Sequence, residues 1–165
     1  MPLLGPGDPF PRLTMSVIEG DGDRQLTVPE LFAGAFGVVL LYRGAWCPYC
    51  LQQLRSFERA LGQLKEVGAA VVALSADDRA TTAGLVADLG LTFPVGHSAD
   101  AAAIAASTGA FVSTEPPFLQ STGFVLDREG RVAVSVYSSG AIGRLVPQDV
   151  AGLVRRLRER AQAQA

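Results

Sequence analysis

The chain contains only two cysteines, and they stand two residues apart in the stretch Trp46-Cys47-Pro48-Tyr49-Cys50. The apolar run before this stretch, residues 37–42, is typical of a buried strand. After it, leucines recur at helical spacing from Leu51, which predicts a helix over residues 48–67. Pro48 suits the first helical position, where its missing N–H would be unpaired in any case. The cysteine pair is therefore expected where a strand ends and a helix begins.

This position favours a reactive thiol at Cys47. The first turn of a helix presents unpaired N–H groups and a partial positive charge. A thiolate there is stabilised, so its pKa falls below the free value of about 8.5. Cys50 lies one turn further on, where it is more shielded, and the spacing allows a disulfide between the two. Arg43 either adds positive charge near Cys47 or points to solvent, and its position in the sequence leaves both open.

Other uses of a Cys-x-x-Cys pair fit the composition less well. A structural zinc site needs four Cys or His ligands, whereas this chain has two cysteines and one histidine, His97. A structural disulfide is not expected in a chain of this size with no further cysteines. The pair therefore indicates redox chemistry.

Length and composition indicate one domain over residues 1–165, since 48% of the residues are hydrophobic and 18% are charged. The net charge of -2, without a basic stripe, argues against a nucleic-acid partner. The sequence shows neither a secretory signal nor an apolar run long enough for a membrane span. A cytoplasmic location, without membrane association, is therefore expected. In that reducing compartment a dithiol is more often catalytic than structural.

The rest of the pattern predicts strands and helices around this pair. Gly20-Asp21-Gly22-Asp23 is a hairpin turn signal, and residues 69–74 form a second buried strand, which completes a parallel strand–helix–strand unit. Asp77 or Asp78 is expected to cap the next helix. Further predictions are a helix capped by Ser98, a loop over residues 111–120, strands over residues 124–127 and 132–137, and a last helix from Pro147.

This order of elements resembles the peroxiredoxin-like proteins (alkyl hydroperoxide reductase and thiol-specific antioxidant) of the thioredoxin superfamily. Four stretches are similar to segments of that family: residues 42–50, 91–95, 123–130 and 140–144. The resemblance implies an α/β, thioredoxin-like fold, with a central mixed β-sheet flanked by helices and an N-terminal hairpin.

The resemblance also implies roles for individual residues. Cys47 corresponds to the peroxidatic cysteine, and Arg144 to an arginine near the active site, although a loop arginine can equally contact a nearby carbonyl. Trp46 adjoins the thiol and either contacts substrate or packs against the sheet edge. The chain departs from the family pattern at four positions, with Gly44 for a Thr or Ser, Leu40 for a proline, Ser121 near an expected arginine, and Cys50 where many members have Glu.

Three functions remain open on the sequence alone. The first is a thiol-dependent peroxidase without a cofactor, in which Cys47 becomes a sulfenic acid, Cys50 forms a disulfide with it, and an external thiol such as a thioredoxin-like protein resets the pair. The second is a dithiol–disulfide oxidoreductase acting on protein disulfides, although the cis-proline of thioredoxins is missing. The third is a copper-binding protein using both cysteines and His97, which is expected in a surface loop.

Overall fold

The two uninterrupted apolar runs form the central strands, β3 (Phe36–Leu41) and β4 (Ala69–Leu74). They pair in parallel in the computed structural model, which describes residues 3–165. Every residue of β3 is buried, as expected for a parallel strand covered on both faces. Two helices, α1 (Pro48–Arg59) and α2 (Leu61–Glu66), connect these strands and complete the predicted strand–helix–strand unit.

Five further strands extend the sheet to seven. They are β1 (Leu13–Glu19), β2 (Gly22–Val28), β5 (Val95–His97), β8 (Thr122–Leu126) and β9 (Val132–Tyr137). The order across the sheet is β2-β1-β5-β4-β3-β8-β9. Strand β5 runs parallel to β4, whereas β8 and β1 are antiparallel to their neighbours. The mixed sheet and the N-terminal hairpin β1–β2 are therefore confirmed.

Helices cover both faces of the sheet. The remaining helices are α3 (Arg79–Leu89), α4 (Ala101–Thr108) and α5 (Pro147–Ala163), and a 3-10 turn spans Glu30–Phe32. Alternate residues of β3 enter two different cores, one with α1, α2, α3 and α5, and the other with α4 and the β1–β2 hairpin. Burying one large apolar side chain such as Leu54 contributes roughly 1.5–3 kcal/mol, so α1 is held firmly against the sheet.

The predicted helix over residues 48–67 is divided in two. Its buried face continues without interruption, but the backbone leaves helical geometry at Ala60, with φ -92° and ψ 2°. Gly62, a weak helix former, follows two residues later. The hydrophobic spacing predicted the face correctly and did not predict the break.

The prediction of a loop over residues 111–120 was wrong. Short strands β6 (Val112–Thr114) and β7 (Pro117–Leu119) pair there as a separate antiparallel hairpin. Pro116 lies in the turn and Pro117 begins a strand, where the lack of an N–H is tolerated. Strands of three residues show no alternation long enough to be recognised in a sequence.

The expectations for His97 and Ser98 were also wrong. His97 lies in β5 rather than in a surface loop, and only 8% of it is exposed. Its Nδ1 is 2.8 Å from the Ser98 hydroxyl, and its Nε2 is 3.2 Å from Oδ2 of Asp23. Ser98 has a φ of 57° and does not cap α4. Asp100 does so, accepting from the Ala103 N–H at 3.0 Å.

No helix within residues 3–165 has the length and apolar character needed to cross a bilayer.

Candidate active site

The carboxyl ends of β3 and β4 lie side by side because these strands are neighbours and parallel. The loop after β3 carries the cysteine motif, and the loop after β4 carries two aspartates. Asp78 caps α3 by accepting from the Thr81 N–H at 2.8 Å. Asp77 instead accepts from the Ala45 N–H, also at 2.8 Å. The second loop therefore fixes the backbone just before Cys47.

Cys47 occupies the N-cap of α1. Its backbone is extended, and its Sγ accepts from the Cys50 N–H at 3.3 Å, in the way that a serine or aspartate oxygen caps other helices. The two cysteines approach each other to 2.8 Å. Both are free thiols, and neither is exposed. The predicted placement of the pair at the start of a helix is confirmed.

Arg43 points at the thiol rather than to solvent. Its Nη1 donates to Cys47 Sγ at 3.7 Å, while its Nε donates to Oε1 of Gln120 at 3.0 Å. The guanidinium also lies over two aromatic rings, 4.7 Å from the centroid of Trp46 and 5.3 Å from that of Phe118. The backbone N–H of Arg43 donates to Cys50 Sγ at 3.3 Å, so this one residue contacts both sulfurs.

Arg144 reaches the same two sulfurs from the loop before α5. Its Nη2 lies 3.1 Å from Cys50 Sγ and 3.6 Å from Cys47 Sγ. The same guanidinium donates to the Ala141 carbonyl through Nε at 3.1 Å and through Nη2 at 2.9 Å. Arg144 therefore lies near the cysteines and also contacts a nearby carbonyl, the two possibilities that the sequence left open.

These surroundings separate the acidities of the two thiols. Burial raises the pKa of Cys47, but hydrogen bonds from the Cys50 thiol, the Cys50 amide and Arg43, together with the charge of Arg144, outweigh it and leave that pKa below its ordinary value. Burial raises the pKa of Cys50, and its hydrogen bond to Cys47 raises it further. The negative charge of a singly ionised pair therefore resides on Cys47.

Trp46 and Tyr49 flank the motif at the surface, where they are 54% and 49% exposed. The Trp46 ring packs edge-on against Phe118, with centroids 5.1 Å apart. It also covers Gly44 so closely that a Cβ at position 44 would collide with its indole Nε1. Trp46 thus fills the space that a side chain at position 44 would otherwise take.

Three residues were not predicted from the sequence as parts of this site: Gln53, Gln120 and Asp77, which was considered only as a helix cap. Gln53 is 8% exposed and contacts Arg144, and it stands out as a polar residue on the buried stripe of α1. Asp77 follows a buried parallel strand, which is itself a signal, since such strand ends meet at one edge of a sheet. Gln120 follows the β6–β7 hairpin, which was itself missed.

His97 does not join the cysteines, because it lies at the β1–β2 side of the sheet, with Nε2 3.2 Å from Oδ2 of Asp23 and Nδ1 2.8 Å from the Ser98 hydroxyl. Within residues 3–165, no three His, Cys, Asp or Glu side chains are grouped so that they could hold a metal ion. The ligand set required by the copper hypothesis is therefore not brought together.

Comparison with known proteins identifies the family of this chain. Residues 6–135 match the AhpC/TSA family. This chain belongs to that family. It is 25% identical over 156 residues to a peroxiredoxin of Methanothermobacter thermautotrophicus, an alignment that covers 91% of this chain and 71% of the relative.

Solved structures show the same fold. A cysteine-to-serine mutant of peroxiredoxin 6 from Arenicola marina superposes with a TM-score of 0.81 at 18% identity, covering 96% of this chain and 76% of that one. Peroxidoxin BcpB from Mycobacterium tuberculosis superposes with a TM-score of 0.78 at 20% identity, covering 93% of this chain and 97% of that one. The predicted thioredoxin-like α/β fold is therefore confirmed.

Proposed function

We propose that this chain is a thiol-dependent peroxidase in which Cys47 attacks the peroxide and Cys50 resolves the product. Membership of the AhpC/TSA family supports a peroxidase rather than a disulfide exchanger. One observation carries the assignment of residues: the Cys47 sulfur accepts from the Cys50 amide and from the guanidinium groups of Arg43 and Arg144. Such converging donors stabilise both a thiolate and the negative charge that develops as a peroxide bond breaks.

In the first step, the Cys47 thiolate attacks one peroxide oxygen. An S–O bond forms as the O–O bond breaks, and the departing oxygen takes a proton from solvent to leave as water or an alcohol. The sulfur loses two electrons to the peroxide and becomes a sulfenic acid. We assign to Arg43 and Arg144 the stabilisation of the departing oxygen, because both guanidinium groups contact the attacking sulfur.

In the second step, Cys50 condenses with the Cys47 sulfenic acid. Its sulfur forms the S–S bond while the S–O bond of Cys47 breaks, and the hydroxyl takes the proton of the Cys50 thiol to leave as water. Loss of the Cys47 charge removes one cause of the raised Cys50 pKa, and the Nη2 of Arg144 is already 3.1 Å from the Cys50 sulfur. Arg144 therefore serves the two sulfurs in succession.

An external dithiol then reduces the disulfide and becomes oxidised itself, which returns both cysteines to thiols. A thioredoxin-like protein is the class of donor we propose. We also propose that the chain is a single domain that works in the cytoplasm, because a free dithiol is maintained in a reducing compartment.

Stopped-flow mixing tests the choice of substrate, with the fluorescence of Trp46, the chain's single tryptophan, as the signal. The reduced protein is mixed with hydrogen peroxide, an organic hydroperoxide, oxidised thioredoxin and a small disulfide, and the Cys47→Ser variant is the control. We expect peroxide to oxidise the protein far faster than it oxidises free cysteine. The rate should remain below that of a complete peroxiredoxin, since each missing preorganised donor costs about 10²–10³-fold.

A peroxide rate equal to that of free cysteine, beside rapid exchange with disulfides, would overturn the proposal in favour of a disulfide oxidoreductase. Mass spectrometry of the oxidised protein gives a second test of the chemistry. Because the chain has no third cysteine, the expected product is a monomer that has lost two hydrogens. A covalent dimer as the main product would contradict resolution by Cys50 of the same chain.

A further inference from the structure

We propose that Gln53 is a positioning residue, whose neutral amide holds the Arg144 guanidinium against the two sulfurs and leaves its positive charge uncompensated. The inference rests on the proposed function, because it gives Arg144 its part in the chemistry of Cys47. Gln53 is not a catalytic residue, since it acts only through Arg144.

Gln53 lies where an apolar residue is expected. It follows Cys50 by one turn of α1, and it shares the buried face of that helix with Cys50, Leu54 and Phe57. Only 8% of it is exposed. Burying an amide costs free energy unless its polar atoms find partners. An amide on this face is therefore expected to have a specific partner.

Both ends of the amide are used, and both contact the loop before α5. The Nε2 group donates to the Leu145 carbonyl at 3.1 Å, and Oε1 accepts from Arg144 Nη1 at 2.9 Å. Gln53 thus binds two consecutive residues of that loop to the helix that carries the cysteines. Donation to the Ala141 carbonyl fixes the other edge of the guanidinium. With Nη1 and Nε engaged, Nη2 is directed at Cys50 and Cys47.

The oxygen acceptors of Arg144 are a side-chain amide and a backbone carbonyl, so none carries a charge. No salt bridge involves Arg144 in residues 3–165. A carboxylate in the place of the Gln53 amide could still accept from Arg144 Nη1, although it could not donate to the Leu145 carbonyl. It would also place a negative charge beside the cation, which would weaken the attraction between Arg144 and a thiolate. The amide therefore orients the cation without neutralising it.

Two substitutions and a matched control test this role. Gln53→Glu keeps the acceptor for Arg144, adds the charge and removes the donor to the Leu145 carbonyl, whereas Gln53→Met keeps the length and removes both the acceptor and the donor. Gln52→Glu adds the same charge at the adjacent, exposed position. The readouts are the ultraviolet absorbance of the Cys47 thiolate against pH, the pH dependence of Cys47 alkylation by iodoacetamide, and the second-order rate of oxidation by hydrogen peroxide. Circular dichroism verifies folding.

We expect Gln53→Glu to shift the Cys47 titration upward by about one pH unit. At pH values below the wild-type Cys47 pKa, the fraction of thiolate then falls about tenfold. Gln53→Met should also shift the titration upward and should lower the peroxide rate about tenfold or more, because small displacements of a catalytic group are costly. Gln52→Glu should leave the fraction of Cys47 thiolate and the peroxide rate within about twofold of the wild type. If Gln53→Glu does not fold, Gln53→Met decides alone.

An unmoved titration in the Gln53 variants overturns the inference, whether the rate is unchanged or reduced, because general loosening of the fold would lower the rate alone. Failure of the proposed function looks different. In that case the wild-type protein itself reacts with peroxide no faster than free cysteine, while the titration and alkylation of Cys47 still report on Gln53.

Discussion

At the scale of single residues, the proposed chemistry depends on which thiol carries the negative charge. The pKa of Cys47 is lowered and that of Cys50 is raised. The low titration should therefore persist in Cys50→Ser, whose hydroxyl can still donate to Cys47, and disappear in Cys47→Ser. Cys50→Ala should raise the Cys47 pKa, because it removes the donor. Reactivity should be level at pH values above the Cys47 pKa and should fall as pH drops through that pKa. Thiolate absorbance against pH measures which of the two thiols ionises at the lower pH. If the titration at lower pH is lost in Cys50→Ser but kept in Cys47→Ser, the assignment is reversed.

Gly44 offers a second test at this scale. Its missing side chain leaves room for the Trp46 ring, which in turn packs on Arg43 and Phe118. Gly44→Ala should displace the ring, change its fluorescence and lower the peroxide rate several-fold, because Arg43 loses a contact that is worth about 0.5–1 kcal/mol. In a Trp46→Ala background the same substitution should lower the rate less, because only the strain of a side chain at the positive φ of residue 44, 158°, remains. Equal effects in both backgrounds would show that Trp46 is not the cause.

At the scale of elements, the loop after β4 holds the loop after β3 through Asp77 and the Ala45 N–H. Asp77→Ala should lower the peroxide rate about tenfold, since the backbone before Cys47 loses an anchor. Asp77→Asn retains an oxygen acceptor and should keep most of the rate. Stopped-flow rates for the two variants provide the comparison. Equal losses in both would mean that the charge of Asp77, rather than its hydrogen bond, matters.

Local patterns predicted the strand–helix junction that places Cys47, because apolar runs and helical spacing are properties of neighbouring residues. They could not predict Gln53 beside Arg144, because that contact joins residues 91 positions apart in the sequence. The orientation of Arg43 likewise depends on Gln120, which follows a hairpin too short to show a strand pattern. His97 was placed in a loop because β5 has only three residues.

At the scale of the whole molecule, the site depends on how α1 packs against the sheet. Leu54 lies on the same helical face as Cys50 and is not exposed at all. Leu54→Ala should reduce the free energy of unfolding by about 2–5 kcal/mol through lost burial and the cavity that remains. Arg59→Ala, at an exposed position of the same helix, should change it by no more than about 0.5 kcal/mol. Denaturant unfolding of the reduced proteins measures both, and similar values would contradict the packing described here.

The central claim is that the Cys47 sulfur is the atom to which peroxide oxygen is transferred. The most direct measurement treats reduced Cys50→Ser with one equivalent of hydrogen peroxide in the presence of dimedone, which traps sulfenic acids, and locates the adduct by peptide mass spectrometry. We expect rapid labelling of Cys47 in this variant and slow or no labelling of Cys50 in Cys47→Ser. Labelling of Cys50 at an equal or greater rate, or no adduct on Cys47, would contradict the claim.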